Sequence, residues 1–115
     1  MTKMSEAVLS FTLPRLHGML ARRLVTQTIR GRTAARALHV GDELSVYSSK
    51  LYMGRVVITR MIPCVMRDLT PADAKLGGFK YLTELRAALH KFFRFPLNFE
   101  RHPVVRVQFR WLDWN

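Results

Sequence analysis

Two threonines and an arginine alternate along the run Val25-Thr26-Gln27-Thr28-Ile29-Arg30. In a strand, where successive side chains point to opposite faces, Thr26, Thr28 and Arg30 share one face. Two hydroxyls can donate or accept there, and a guanidinium holds a phosphate or carboxylate through two parallel hydrogen bonds. The same residues also suit a plain strand, with threonine present for its β-propensity and the arginine solvated. Arg22, Arg23, Arg32 and Arg36 flank the run. They could follow a polyanion backbone, or sit near a helix end where cations are favoured anyway. Tyr47 could stack on a base with Lys50 near a phosphate, although a tyrosine in the wall of a sheet fits its position equally. Phe92, Phe93, Phe95 and Phe99 look like a stacking platform. The helical register Leu82, Leu85, Leu89, Phe92 instead predicts that Phe92 packs in the core.

Other chemistry finds little support. His17, His39, His90 and His102 are scattered, without ligand spacing, so no metal and no cofactor is expected. The single cysteine, Cys64, has no Cys-x-x-Cys partner and reads as an inert thiol in an apolar run. It also excludes an internal disulfide. There is no Gly-x-Ser-x-Gly, no Walker loop and no His-Glu-x-x-His. His39, Asp42 and Glu43 could form an acid–base group for a metal-free ribonuclease, but turn and capping roles explain them too.

Charge narrows the partners. The chain has 115 residues and a formal net charge of +11. Arginine dominates, with 14 Arg against 5 Lys, and its planar fork suits phosphate and base stacking better than an ammonium does. No acidic residue occurs from Ala7 to Gly41, a stretch holding six arginines. A patch of one sign attracts a polyanion. This favours nucleic acid over the other anionic partners, a lipid surface or an acidic protein. No apolar run reaches the roughly 18 residues of a membrane helix. The start lacks the features of a secretion signal, and a reduced, cytoplasmic setting is expected.

The elements that must position these residues follow from periodicity. Size predicts one domain over 1–115, with residues 1–7 a tail leading into a strand at Val8 to Thr12. Pro14 opens a helix carrying Leu16, Met19, Leu20 and Leu24 at helical spacing. Val25 to Ile29 reads as a strand, Arg30-Gly31-Arg32-Thr33 as a turn, and Ala34 to Leu38 as a short helical turn. Gly41-Asp42 turns into the alternating strand Glu43 to Ser49. Arg55 to Met66 is a long β-branched strand that Pro63 should end or bulge. Thr70-Pro71-Ala72-Asp73 is a helix start, with a capping threonine, proline at the first position and an acid at the dipole end. Gly77-Gly78 stops that helix, and a further helix runs through Leu82 until Pro96 forbids it. Finally, Val105, Val107, Phe109 and Trp111 alternate with Arg106, Gln108 and Arg110, a sheet buried on one side. Five or six strands with two or three short helices suit a closed or nearly closed barrel with helices outside.

Three segments in order carry a family resemblance: Val25-Thr26-Gln27-Thr28-Ile29-Arg30 with Gly41-Asp42-Glu43-Leu44; Gly54-Arg55-Val56-Val57-Ile58-Thr59; and Asp68-Leu69-Thr70-Pro71-Ala72-Asp73-Ala74 with Gly77-Gly78-Phe79 and the helix through Leu82, Glu84 and Leu85. Together they resemble the ASCH domain, a relative of the PUA fold, over roughly residues 11 to 110. The resemblance implies an α+β fold, a small and mostly antiparallel β-barrel, and a cleft that handles RNA or nucleotides, towards which Thr28 and Arg30 point. Some ASCH proteins hydrolyse the acetyl amide of acetylated cytidine with a lysine, a threonine and a glutamate. Of these, the threonine corresponds to Thr28, whereas the lysine falls on Val25 and the glutamate on Gly77 or nearby. Valine cannot accept a proton, so Thr28 remains a catalytic candidate without its base. The expected function is an RNA-binding module holding a short single strand or a nucleotide at Thr26, Thr28, Arg30 and Tyr47, with Arg22, Arg23, Arg32 and Lys50 on phosphates. The alternatives are a hydrolase acting on modified nucleosides or RNA, and a protein-interaction module using aromatics near Trp111 and Trp114.

Overall fold

The computed structural model describes residues 8–94 and 96–112. The expected tail at 1–7, Phe95 and Trp114 lie outside these residues. The elements run β1 (Val8–Phe11), a 3-10 turn (Pro14–Leu16), α1 (His17–Ala21), β2 (Gln27–Gly31), α2 (Arg32–Ala35), β3 (Glu43–Ser48), β4 (Leu51–Val65), a 3-10 turn (Met66–Asp68), α3 (Pro71–Leu76), α4 (Leu82–Phe92), a 3-10 turn (Phe99–Arg101) and β5 (Pro103–Trp111). The class is α+β and PUA-like, as the sequence implies, with four short α-helices rather than two or three among the described residues.

The five strands form one sheet in the order β1-β3-β4-β5-β2. β1 lies parallel to β3, and the other three pairings are antiparallel. The sheet curls into a half-barrel rather than a closed one, because β1 and β2 stand at its two ends without a ladder between them. The concave side holds the core. Leu9, Leu44, Val46, Val56, Ile58, Val107 and Phe109 are buried there with Leu20, Met66 and Leu85 from the helices and turns. The alternation read in β5 is present from Val105 to Trp111, with Val105, Val107, Phe109 and Trp111 buried; on the other face Arg110 is exposed, but Arg106 and Gln108 are half-buried.

Several boundaries differ from the periodicity. The predicted helix after Pro14 is split into a 3-10 turn and the five-residue α1, and Leu24 is exposed beyond it. β2 starts two residues later than predicted and runs through Gly31, where a turn was expected, and α2 starts directly at Arg32. Pro63 neither ends nor bulges β4: it pairs with Val105, and the register shift falls between Ile58 and Arg60. β3 covers β4 only from Leu51 to Val57. Beyond that point one edge of β4 is open, so a missing N–H is tolerated.

The helix start at Thr70 is built as the sequence implies. The Asp73 N–H donates to the Thr70 hydroxyl at 3.4 Å and the Thr70 N–H donates to the Asp73 carboxylate at 2.8 Å, a reciprocal capping box. Gly77 caps α3, and Gly78 follows with φ of +89°. A Cβ there would stand 3.0 Å from both Leu16 Cδ2 and Val25 Cγ2, so glycine is needed for conformation and for space.

Candidate ligand cavity at the open seam

The unladdered gap between β1 and β2 holds a cavity of about 290 Å³. β1 and its continuation supply Ser10, Phe11 and Thr12, β2 supplies Gln27, Thr28 and Arg30, and α3 and α4 cover it. Its wall is mainly apolar, with Leu16, Ile29, Phe79 and Leu89 among the lining side chains.

Arg30 spans the seam. Its Nη2 donates to the Ser10 carbonyl at 3.0 Å and its Nε donates to the Thr28 hydroxyl at 3.2 Å. The guanidinium lies 5.0 Å from the centre of the Phe11 ring. Among the described residues no carboxylate pairs with it. Burial pushes its pKa down to about 10, which still leaves it protonated at neutral pH. A cation surrounded only by neutral oxygens and a ring is a poor structural device and a good receptor for an anion. Thr28 accepts from Arg30 and so keeps its own O–H available to a ligand.

Behind the cavity lies a polar network that the sequence reading did not find. Asp73 is buried, as is Gln27. Arg106 Nε and Gln27 Nε2 each donate to Asp73 Oδ1 at 2.9 Å, Arg106 Nη2 donates to Asp73 Oδ2 at 3.2 Å, and Gln108 Nε2 donates to Gln27 Oε1 at 2.9 Å. Burial alone would push the Asp73 carboxyl up. Hydrogen bonds from Arg106, Gln27 and Thr70 outweigh it and hold the carboxyl below the usual range. The network ties α3 to β5 and β2 and fixes the cavity floor. Its fully committed carboxylate is poorly placed to act as a base for Thr28. The sequence signal was present as Thr70-x-x-Asp73, which reads as a cap but not as a buried ion pair.

The other candidate residues are dispersed over the fold. Thr26 serves the backbone: its N–H donates to the Leu76 carbonyl at 2.9 Å and its carbonyl accepts from Phe109 at 3.0 Å. Arg22 reaches the Met19 sulfur, and Arg23, in a left-handed conformation, donates to the Leu20 carbonyl and lies 4.3 Å over the Trp111 ring. Arg32 and Arg36 line a separate groove beside Pro63, Cys64 and Val105. In that groove burial pushes the Cys64 thiol up. Tyr47 stacks edge-on against Tyr52 outside the cavity, and Lys50 is in the adjoining turn. His39 and Asp42 hold a turn, the His39 N–H donating to Asp42 at 3.0 Å, and neither lines the cavity. Val25 is fully buried, and Gly77 does line the cavity.

Phe92 corrects the helical register. It is 62% exposed and stands in the cavity lining with Lys91, while Phe93 packs against the core in its stead. The Phe92 ring meets that of Phe93 edge-on at 5.1 Å. Among the described residues no group of three His, Cys, Asp or Glu converges as a metal set, and no helix is long and apolar enough to cross a membrane.

A curled sheet with helices over its open seam is a PUA-like α+β fold. No family model and no curated protein matches the sequence. Solved structures do match. A DUF984 protein from Enterococcus faecalis V583 superposes with a TM-score of 0.75 at 14% identity, covering 97% of this chain and 79% of that one. An ASCH domain from Lactobacillus crispatus JV V101 gives a TM-score of 0.71 at 15% identity, covering 92% of this chain and 80% of that one. The fold is that of an ASCH domain.

Proposed function

We propose that this protein is an RNA-binding module that takes one nucleotide of a short single strand, or a free nucleotide, into the cavity at the β1–β2 seam. The observation that carries the reading is Arg30, a half-buried guanidinium without a carboxylate partner among the described residues, facing a cavity in which Phe92 is an exposed ring. Arg30 would hold a phosphate through charge-assisted bonds, Thr28 would donate to it, and Phe92 would stack on the base. Lys91 adds a second cation at the lining. At about 290 Å³ the cavity lies at the small end of ligand pockets, which fits one nucleotide and excludes a duplex. Binding is favoured over hydrolysis because the Thr28 hydroxyl neighbours a cation, and the one carboxylate among the described lining residues, Asp73, is committed to Arg106 and Gln27.

The test is fluorescence anisotropy with a labelled single-stranded RNA, a matched DNA and a duplex across salt concentrations. A footprint of about four phosphates predicts a log–log slope of about −3 and a roughly 50-fold loss of affinity between about 50 and 200 mM salt. Equal, weak binding to all three would reduce the charge of +11 to unspecific attraction and would overturn the reading.

A further inference from the structure

Ser10 belongs to two surfaces at once. It lines the cavity, where its carbonyl accepts from Arg30, and it begins a row of side chains across the outside of the sheet. Ser10 pairs with Tyr47 on β3, and Tyr47 pairs with Tyr52 on β4. Paired residues project to the same face. Their neighbours Leu9 and Val46 pair on the other face and are buried in the core, so Ser10, Tyr47 and Tyr52 face away from it. The two tyrosine rings meet edge-on at 5.7 Å, and Tyr52 is 55% exposed. Two strand spacings, about 10 Å, separate the cavity edge from Tyr52.

The surroundings of the row are cationic. Lys50 follows β3, Arg55 lies on the same face of β4, and Arg110 pairs with Val57 further along that face. The acid beside them, Glu43, is 3.6 Å from Arg55. Exposed aromatic rings on a sheet, among cations that track a backbone, make a stacking platform for single-stranded nucleic acid.

We infer that the Ser10–Tyr47–Tyr52 row is a second binding surface, over which a single strand of RNA runs on from the nucleotide held in the cavity. The inference rests on the cavity reading and commits it to a strand of at least about four nucleotides, the smallest footprint of such surfaces, rather than a free nucleotide. Tyr52 supplies the outer stacking ring, Tyr47 braces it from the side, and Lys50 and Arg110 meet phosphates.

Uridine 5′-monophosphate and hexauridylate separate the two surfaces. Hexauridylate should bind the native protein more tightly than the mononucleotide. Tyr52→Ala should weaken hexauridylate by about 5- to 150-fold, the worth of one base–ring stack, and leave the mononucleotide unchanged. Tyr52→Phe should retain both, which separates stacking from loss of fold. Equal affinity for the two ligands, or hexauridylate binding indifferent to Tyr52→Ala, overturns the outer surface and leaves the cavity intact. If neither ligand binds, the cavity reading fails and the outer surface fails with it.

Discussion

Replacing Arg30 by methionine should separate binding from folding. The guanidinium gives the fold two hydrogen bonds, 3.0 Å to Ser10 and 3.2 Å to Thr28, and a place 5.0 Å from the Phe11 ring. At about 1 kcal/mol net per bond, and somewhat less for the ring contact, these contribute about 2–3 kcal/mol. Against them stands the burial of charge. The fall of the pKa to about 10 corresponds to about 3–4 kcal/mol. The two nearly cancel, and methionine keeps an apolar stem against Phe11. Arg30→Met should therefore change folding stability by less than about 1 kcal/mol, a shift in Tm of about 4–8 °C or less. A ligand phosphate alters this balance, because it partners the charge inside the cavity. Losing that pairing costs about 1.5–3 kcal/mol, a roughly 10- to 150-fold rise in Kd. Thermal melts and anisotropy titrations on the same samples read both quantities. A Tm loss beyond about 10 °C with unchanged affinity would make Arg30 a strut across the seam and would refute its role in recognition.

Other perturbations test the frame around the site. Asp73→Ala leaves Arg106 and Gln27 without their acceptor and should cost about 3–5 kcal/mol in chemical denaturation; a cost below about 1 kcal/mol would show that the network is dispensable. Because folding holds the Asp73 carboxyl below its unfolded value of about 3.9, its contribution is present above that pH and fades as pH falls further, through the folded value. Melts between about pH 2 and 6 should therefore show an acid loss that Asp73→Asn flattens. Gly78→Ala must place a Cβ 3.0 Å from Leu16 and Val25 at a φ of +89°, and should destabilise by about 1–3 kcal/mol. An unchanged midpoint there would show that the α3–α4 turn relaxes freely.

How much of this was legible beforehand varies by element. The strand β5 was readable from its period-two alternation, although α3 half-covers the face of Arg106 and Gln108 that the alternation left to solvent. The α3 start was equally readable, since Thr70, Pro71 and Asp73 satisfy a local rule within four residues. Boundaries at β2 and α1 were not; at β2 the Thr26 N–H turns to the Leu76 carbonyl, fifty residues away, while its carbonyl still accepts from Phe109 of β5. Pro63 misled for a similar reason: proline disrupts a strand only where a neighbour needs its N–H, and β3 ends before reaching it.

For the site, the sequence by itself determined the chemistry on offer: a basic, arginine-rich chain, with Thr28 and Arg30 on one strand face and neither a Gly-x-Ser-x-Gly nor a His-Glu-x-x-His motif. Tertiary structure decided which of these residues meet. It brought Thr28 and Arg30 to an open seam, sent Arg32 and Arg36 to another groove and Arg23 onto Trp111, and added Asp73 and Phe92. The physical reason is range. Propensity, capping and alternation act over a few residues and are written in local order. The pairing of β1 with β3 and β2 with β5, which leaves the seam open between them, is a balance of burial over the whole sheet, and no short segment encodes it.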